Sequence, residues 1–163
     1  MKDVLNRNTF FVREHPSPFS AANNYDILDP ATRELLMECR EENMSRLTRI
    51  LRFTDLKRTT PFQIMVRTPG GTQILRVTRG VPEIASVVHV FDETDAPVGA
   101  FRQKAFSVSG AFDVLDARGE PICRLKSGLA GWNFRFMTPD DIELARVTRK
   151  WAGLGKELFT SAN

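Results

Sequence analysis

The sequence predicts an all-β protein, an antiparallel meander of about twelve strands, and three observations support this fold class. Short stretches in which apolar and polar residues alternate recur along the chain, and turn-forming residues separate them. No long amphipathic helix is visible in these stretches. Because such a sheet has one apolar face that must be covered, we expect it to form a sandwich or to close into a barrel.

Five stretches supply ten of the expected strands, since each contains a strand, a turn and a second strand. They are YDILDPATRELLMEC from Tyr25, FQIMVRTPGGTQILRV from Phe62, VHVFDETDAPVGAF from Val88, FDVLDARGEPICRL from Phe112 and FRFMTPDDIELARV from Phe134. The predicted turns contain the strand-breaking residues Asp29-Pro30, Pro69-Gly70-Gly71, Asp95-Ala96-Pro97, Arg118-Gly119 and Pro139-Asp140. The runs Thr9–Val12 and Glu157–Phe159 are expected to add an entry strand and an exit strand.

Alternation within the strands predicts which residues share a face. Phe62, Ile64 and Val66 fall on one face, and Gln63 falls on the other. By the same spacing, Phe112 shares a face with Val114, and Phe134 with Phe136. The twelve phenylalanines have no polar group, which indicates a dry interior.

Length and composition predict one globular domain over residues 1–163. Apolar residues make up 42% and charged residues 26% of the chain, with a net charge of +3 and a pI of 9.1. No run approaches the roughly 18 apolar residues of a membrane span, and the start has no secretory signal. We therefore expect a cytoplasmic chain in which Cys39 and Cys123 are free, buried thiols; a single disulfide between them is the alternative.

Residues 42–62 break the strand pattern and contain a concentration of positive charge. Helix and strand fit this segment about equally well. As a helix, it would place Met44, Leu47 and Leu51 on one side. The candidate anion-binding or lipid-binding residues are Arg46, Arg49, Arg52, Lys57 and Arg58. Basic residues beside apolar ones suit an anionic membrane surface. The alternative is a solvated connection whose arginines pair with Glu38, Glu41 and Glu42.

The titratable residues predict neither catalysis nor a cofactor or metal site. His15 falls in a predicted surface loop and His89 at an outward strand position, and neither has an evident Cys or Asp partner. The acids Asp92, Glu93, Asp95, Asp140 and Asp141 lie where hairpin turns use Asp for local hydrogen bonds. We therefore expect a protein that is not an enzyme.

The ordered set of motifs from Tyr25 to the end resembles the phospholipid scramblase-related and LURP-one-related proteins. Its parts are the hairpins themselves, the strand Val98-Gly99-Ala100-Phe101-Arg102-Gln103, and a closing motif that reads KWxGxxxExFTxA from Lys150 to Ala162. The resemblance implies a fold similar to the Tubby C-terminal domain, a twelve-stranded barrel closed around an apolar C-terminal helix. Ser161 and Asn163 stand where the family's calcium segment has acids, which argues against calcium binding.

The resemblance also predicts more chain after Asn163, because the family's central helix follows the closing motif directly. A barrel of about twelve strands is too wide for its own side chains to fill. We expect the plug helix to be missing from these residues, and to come from a continuation of the chain, from a partner or from a second copy. Residues 42–56 are a poor substitute, since a central plug must be apolar all round.

Two classes of function remain open from the sequence. One is a non-catalytic, scramblase-related binding module at the membrane periphery that contacts anionic phospholipid through a basic face. The other is a soluble scaffold, or a small-ligand-binding or enzyme-like barrel without a lipid function. Scrambling itself is not expected without a spanning segment, and the absence of interleaved exposed aromatics argues against a nucleic-acid partner.

Overall fold

The computed structural model describes residues 4–15, 24–42, 60–81, 86–103, 111–127, 133–152 and 155–162, with the backbone alone from residue 149 onward. These residues form twelve strands: β1 (Thr9–Glu14), β2 (Tyr25–Leu28), β3 (Leu35–Glu41), β4 (Phe62–Arg67), β5 (Gln73–Arg79), β6 (Val87–Phe91), β7 (Pro97–Gln103), β8 (Phe112–Asp116), β9 (Pro121–Ser127), β10 (Asn133–Met137), β11 (Glu143–Ala152) and β12 (Gly155–Ala162). Each strand pairs antiparallel with the next, and the strand order is that of a closed barrel in which β12 neighbours β1. The predicted all-β antiparallel meander is confirmed.

Four of the five predicted hairpins share one five-residue turn. The turn starts at Thr68, Asp92, Asp116 or Thr138, whose side-chain oxygen accepts a hydrogen bond from the backbone N–H four residues later. The fourth residue has a positive φ, and it is Gly71, Asp95, Gly119 or Asp141. A turn of this kind, followed by one left-handed residue, is a common three-residue hairpin loop. Asp92, Asp95 and Asp141 therefore act as turn residues, as predicted.

A β-bulge follows the turn in all five hairpins and leaves one residue of the second strand without a register partner. We call these five the bulge residues: Leu36, Ile74, Val98, Ile122 and Leu144. All five are apolar, yet their surroundings differ. Leu36 and Ile74 are 8% and 4% exposed, whereas Val98, Ile122 and Leu144 are 50%, 54% and 41% exposed.

The strand register confirms the predicted alternation of faces. Phe62, Ile64 and Val66 pair across to β5, and the same face continues around the sheet to Phe112, Val114, Phe134 and Phe136. The rings of Phe101 on β7 and Phe136 on β10 meet edge to face at 6.5 Å, although two strands separate β7 from β10. Such a contact requires a concave surface, so this apolar face is the inner face. His89 lies on the outer face and is exposed, as predicted.

The inner face is apolar, yet most of its described side chains are only half-buried. Its half-buried residues include Phe10, Val12, Ile27, Ile64, Val77, Val90, Phe101, Phe112, Val114, Phe134, Phe136 and Val147. No large described side chain is less than 2% exposed. The best-packed region is a cluster of Leu36, Met37, Val66 and Ile74, against which Val4 and Phe10 also pack. Within the described part of the chain, most apolar side chains of the inner face therefore stay partly accessible to solvent.

Candidate functional surface

The basic residues singled out from the sequence, Arg46, Arg49, Arg52, Lys57 and Arg58, lie outside the described residues. The chain enters and leaves this segment at neighbouring points, because the N–H of Glu42 donates to the carbonyl oxygen of Gln63 at 3.0 Å. Both points lie at the end of the sheet opposite the five-residue turns. The acids suggested as partners have other contacts: Glu38 pairs with Arg40 at 3.3 Å, and Glu42 with Arg67 at 2.5 Å.

The best-buried charge of the described residues is Asp26, on the outer face of β2. It is 5% exposed and accepts hydrogen bonds from Arg40 Nη2 at 2.8 Å and Arg13 Nη2 at 3.1 Å. His15 Nε2 lies 2.5 Å from the same carboxylate. Burial alone would raise the pKa of Asp26, but hydrogen bonds from Arg40, His15 and Arg13 outweigh it and lower that pKa to about 2.

The expectation that His15 has no acidic partner is therefore wrong. His15 and Asp26 are eleven residues apart in sequence, and they meet because β1 and β2 pair antiparallel with Arg13 opposite Asp26. The alternation of each strand gives Arg13, Asp26 and Arg40 outward positions, but only the register shows that they meet. The arrangement satisfies one buried carboxylate with three donors, as a structural ion network does.

The two cysteines do not complete a nucleophilic site with this network. Cys39 pairs with Tyr25 on the inner face, opposite to the face that carries Asp26. Burial raises the pKa of the Cys39 thiol to about 11, and burial also raises the pKa of Cys123. Both are free thiols, as predicted. Within the described ranges, no three His, Cys, Asp or Glu side chains are grouped so that they could hold a metal ion.

A second charged feature of the outer face is a row of three cations across β9, β10 and β11. Arg135 lies directly opposite Lys126 on one side and Arg146 on the other, and we call these three residues the cationic row. Lys126 Nζ pairs with Asp141 at 2.6 Å, and Arg146 with Glu143 at 2.8 Å. Arg135 is exposed and has no ion-pair partner among the described residues.

Within the cationic row, Arg135 has the unfavourable position, because like charges directly opposite one another on neighbouring strands destabilise their pairing. Lys126 and Arg146 are each offset by an acid. The backbone positions of these three residues span about 10 Å, the width of two strand spacings. Arg124 lies on the same face and reaches its nearest acid, Asp113, only at 4.0 Å. Such a group can bind an anion with several acceptor oxygens, such as a phosphate group. Sequence reasoning missed it, although the alternation in Phe134-Arg135-Phe136 gives Arg135 an outward position.

Comparison with known proteins identifies the family. The profile of the Scramblase family matches residues 14–163, so the chain belongs to the Scramblase family. The fold is similar to the X-ray structure of an Arabidopsis thaliana protein of the LURP-one-related group, with a TM-score of 0.56 and 14% sequence identity. That similarity covers 95% of this chain and 80% of the Arabidopsis chain. The curated proteins include no match.

These findings confirm the resemblance to the scramblase-related and LURP-one-related proteins. At 14% identity, the Arabidopsis structure supports the fold alone. In the part of the chain that the structure describes, no helix is long and apolar enough to span a bilayer.

Proposed function

We propose that this protein is a non-catalytic, scramblase-related binding module that contacts anionic phospholipid through a basic face at the membrane periphery. The observation that carries the proposal is the cationic row, in which Arg135 stands between Lys126 and Arg146. A bound phosphate would give Arg135 the anionic partner that it lacks among the described residues, and it would offset the like charges opposite Arg135. Membership of the Scramblase family supports phospholipid as the source of that phosphate.

The segment from Arg46 to Arg58 belongs to the same proposal as a second group of cations. Its flanking residues, Glu42 and Thr60, lie at the end of the sheet opposite the five-residue turns. Those turns contain several acids, including Glu93, Glu120 and Asp140, and would be repelled by an anionic surface. The orientation we propose therefore presents the wall of β9–β11 and the end opposite the turns to the lipid.

We further propose that an apolar helix occupies the space within the sheet, supplied by a continuation of the chain, by a partner or by a second copy. The support is the half-buried inner face, where Phe101, Phe112 and Phe136 are among many partly exposed apolar residues. Covering this surface would recover about 25 cal/mol for each Å² of apolar area removed from water.

Vesicle flotation at low and high salt tests the lipid proposal. The chain should float with vesicles that contain phosphatidylserine and not with vesicles of phosphatidylcholine alone, and high salt should weaken binding. Each cation near such a surface contributes about 1 kcal/mol, so the Lys126→Gln/Arg135→Gln/Arg146→Gln variant should bind about a hundredfold more weakly. The Arg46→Ala/Arg49→Ala/Arg52→Ala variant measures how much the segment from Arg46 to Arg58 contributes to vesicle binding.

The matched control removes three cations from the turn end, as Arg7→Gln/Arg33→Gln/Arg118→Gln. It carries the same net charge as the first variant and should float nearly as well as the unmodified chain. If the control loses as much binding as the cationic-row variant, net charge and not a defined face governs the interaction. If the unmodified chain ignores all anionic vesicles, the lipid proposal is wrong.

A further inference from the structure

The bulge residues form an internal repeat whose members differ in what covers them. In the hairpins β2–β3 and β4–β5, Leu36 and Ile74 lie in the buried cluster against which Val4 packs. Three positions after Val4, Arg7 Nη1 donates a hydrogen bond to Asp29 Oδ2 in the turn of β2–β3. One short segment thus packs an apolar side chain against the cluster that contains two bulge residues, and it pairs a basic side chain with a turn carboxylate.

The other three hairpins repeat both features without such a cover among the described residues. Each has one exposed bulge residue and one exposed turn acid that has no ion-pair partner within the described ranges. We call these six residues the hairpin rim: Val98, Ile122, Leu144, Glu93, Glu120 and Asp140. The remaining acids of two of these turns are occupied, since Asp95 pairs with Arg76 and Asp141 with Lys126.

We propose that the hairpin rim binds a segment of a partner protein in which an apolar residue is followed three positions later by Arg or Lys. The apolar side chain would cover one exposed bulge residue, and the basic side chain would pair with the free turn acid of the same hairpin, as Val4 and Arg7 do elsewhere in the chain. Residues 4–6 are turned and not extended, so each bound segment would form a similar turn over a single hairpin. Successive bulge residues lie two strands apart, about 10 Å.

Charge complementarity selects a basic peptide over the two other candidate occupants. An anionic lipid surface would be repelled by Glu93, Glu120 and Asp140, although it suits the cationic row on the wall of the same sheet. A second copy of this chain would have to release its own Val4 and Arg7, which already have partners. This binding site does not depend on the proposed lipid contact, because it uses the opposite sign of charge.

Selection from a phage-displayed library of random twelve-residue peptides, with the full chain as bait, tests the proposal. Enriched peptides should contain an apolar residue three positions before Arg or Lys. In solution titrations, raising the salt concentration should weaken the binding of these peptides to the chain. The Ile122→Ser/Leu144→Ser variant should bind a labelled selected peptide about tenfold more weakly or worse. The Glu120→Gln/Asp140→Asn variant should also lose affinity, and it leaves every apolar residue in place.

The matched control is Val81→Ser, which removes an exposed apolar side chain, 72% exposed, far from the rim. It should bind the peptide as the unmodified chain does. Should the serine double variant fail to fold, as judged by circular dichroism, the charge variant decides. Enrichment of no common motif, or full binding by both rim variants, would overturn the proposal. It would also be overturned if the rim variants lost vesicle binding and kept peptide binding.

Discussion

The hairpins β2–β3 and β4–β5 differ from the hairpins β6–β7, β8–β9 and β10–β11 in what surrounds the β-bulge that all five share. All five carry an apolar bulge residue, but Leu36 and Ile74 are buried and Val98, Ile122 and Leu144 are exposed. Their outer faces differ too, since Asp26 is enclosed by donors on the first side and Arg135 stands between two cations on the second. Local sequence therefore determines the turn and the bulge, while the neighbouring elements determine what the bulge residue contributes.

The largest effect is expected when the same substitution is made at two equivalent bulge residues. Ile74→Ala should lower the free energy of unfolding by about 3 kcal/mol, because it removes buried apolar atoms and leaves a cavity. Ile122→Ala should cost less than about 0.5 kcal/mol, since its side chain is 54% exposed. Urea unfolding of both variants measures the difference. Equal losses would mean that Ile122 is covered in solution, and the contrast between the two sides would disappear.

A smaller effect is expected from neutralising one carboxylate on each side. Asp26→Asn should cost about 2 kcal/mol, because Arg13 and Arg40 lose a buried partner, although both arginines are themselves partly exposed. Asp95→Asn, in the turn of β6–β7, should cost less than about 1 kcal/mol, since its side chain is 62% exposed where it pairs with Arg76. Thermal unfolding at pH 7 compares the stability of the two variants. A larger loss of stability for Asp95→Asn than for Asp26→Asn would contradict the prediction.

The smallest effect is the acid sensitivity that Asp26 confers. Its pKa is about 2 in the folded chain against an ordinary value of 3.8, so its stabilising contribution is present above pH 3.8 and is lost as the pH falls towards 2. Between pH 5 and pH 3 the unmodified chain should lose about 1 kcal/mol more than the Asp26→Asn variant. The pKa of Asp29 is also about 2, because the Thr32 and Ala31 N–H groups donate to its carboxylate. Asp29 is present in both proteins, so its contribution to acid sensitivity cancels in the comparison. If the stability of the unmodified chain and of the Asp26→Asn variant fell equally between pH 5 and pH 3, Asp26 would not be a source of acid sensitivity.

The turns and the sharing of faces could be predicted from the sequence because they depend on neighbouring residues alone. Pro69-Gly70-Gly71 and Arg118-Gly119 supply the residues that a tight turn requires, and Phe62, Ile64 and Val66 show their common face by spacing. Membership of the scramblase-related family could also be recognised, from the order of the hairpins and the closing motif. These signals are local or sequential, and no register is needed to read them.

The candidate surfaces could not be predicted in the same way, because they arise from strand register. Arg135 is an ordinary outward residue until the pairing places Lys126 and Arg146 on its two sides. Similarly, the turn and bulge of each hairpin do not distinguish Ile74 from Ile122, since Ile74 is buried in a cluster with Leu36 and Met37 of a neighbouring hairpin. The five basic residues from Arg46 to Arg58 remain a prediction, since they lie outside the described residues.

The two free thiols make this protein convenient for site-specific spectroscopy. With a pKa of about 11, Cys39 is reactive thiolate in only about one molecule in ten thousand at pH 7. A cysteine introduced at the exposed turn residue Thr72 or Ile142 would therefore be alkylated by a maleimide dye well before the native ones. The turns that contain Thr72 and Ile142 share one geometry. Dyes attached at these two positions would therefore compare the local environment on opposite sides of the sheet.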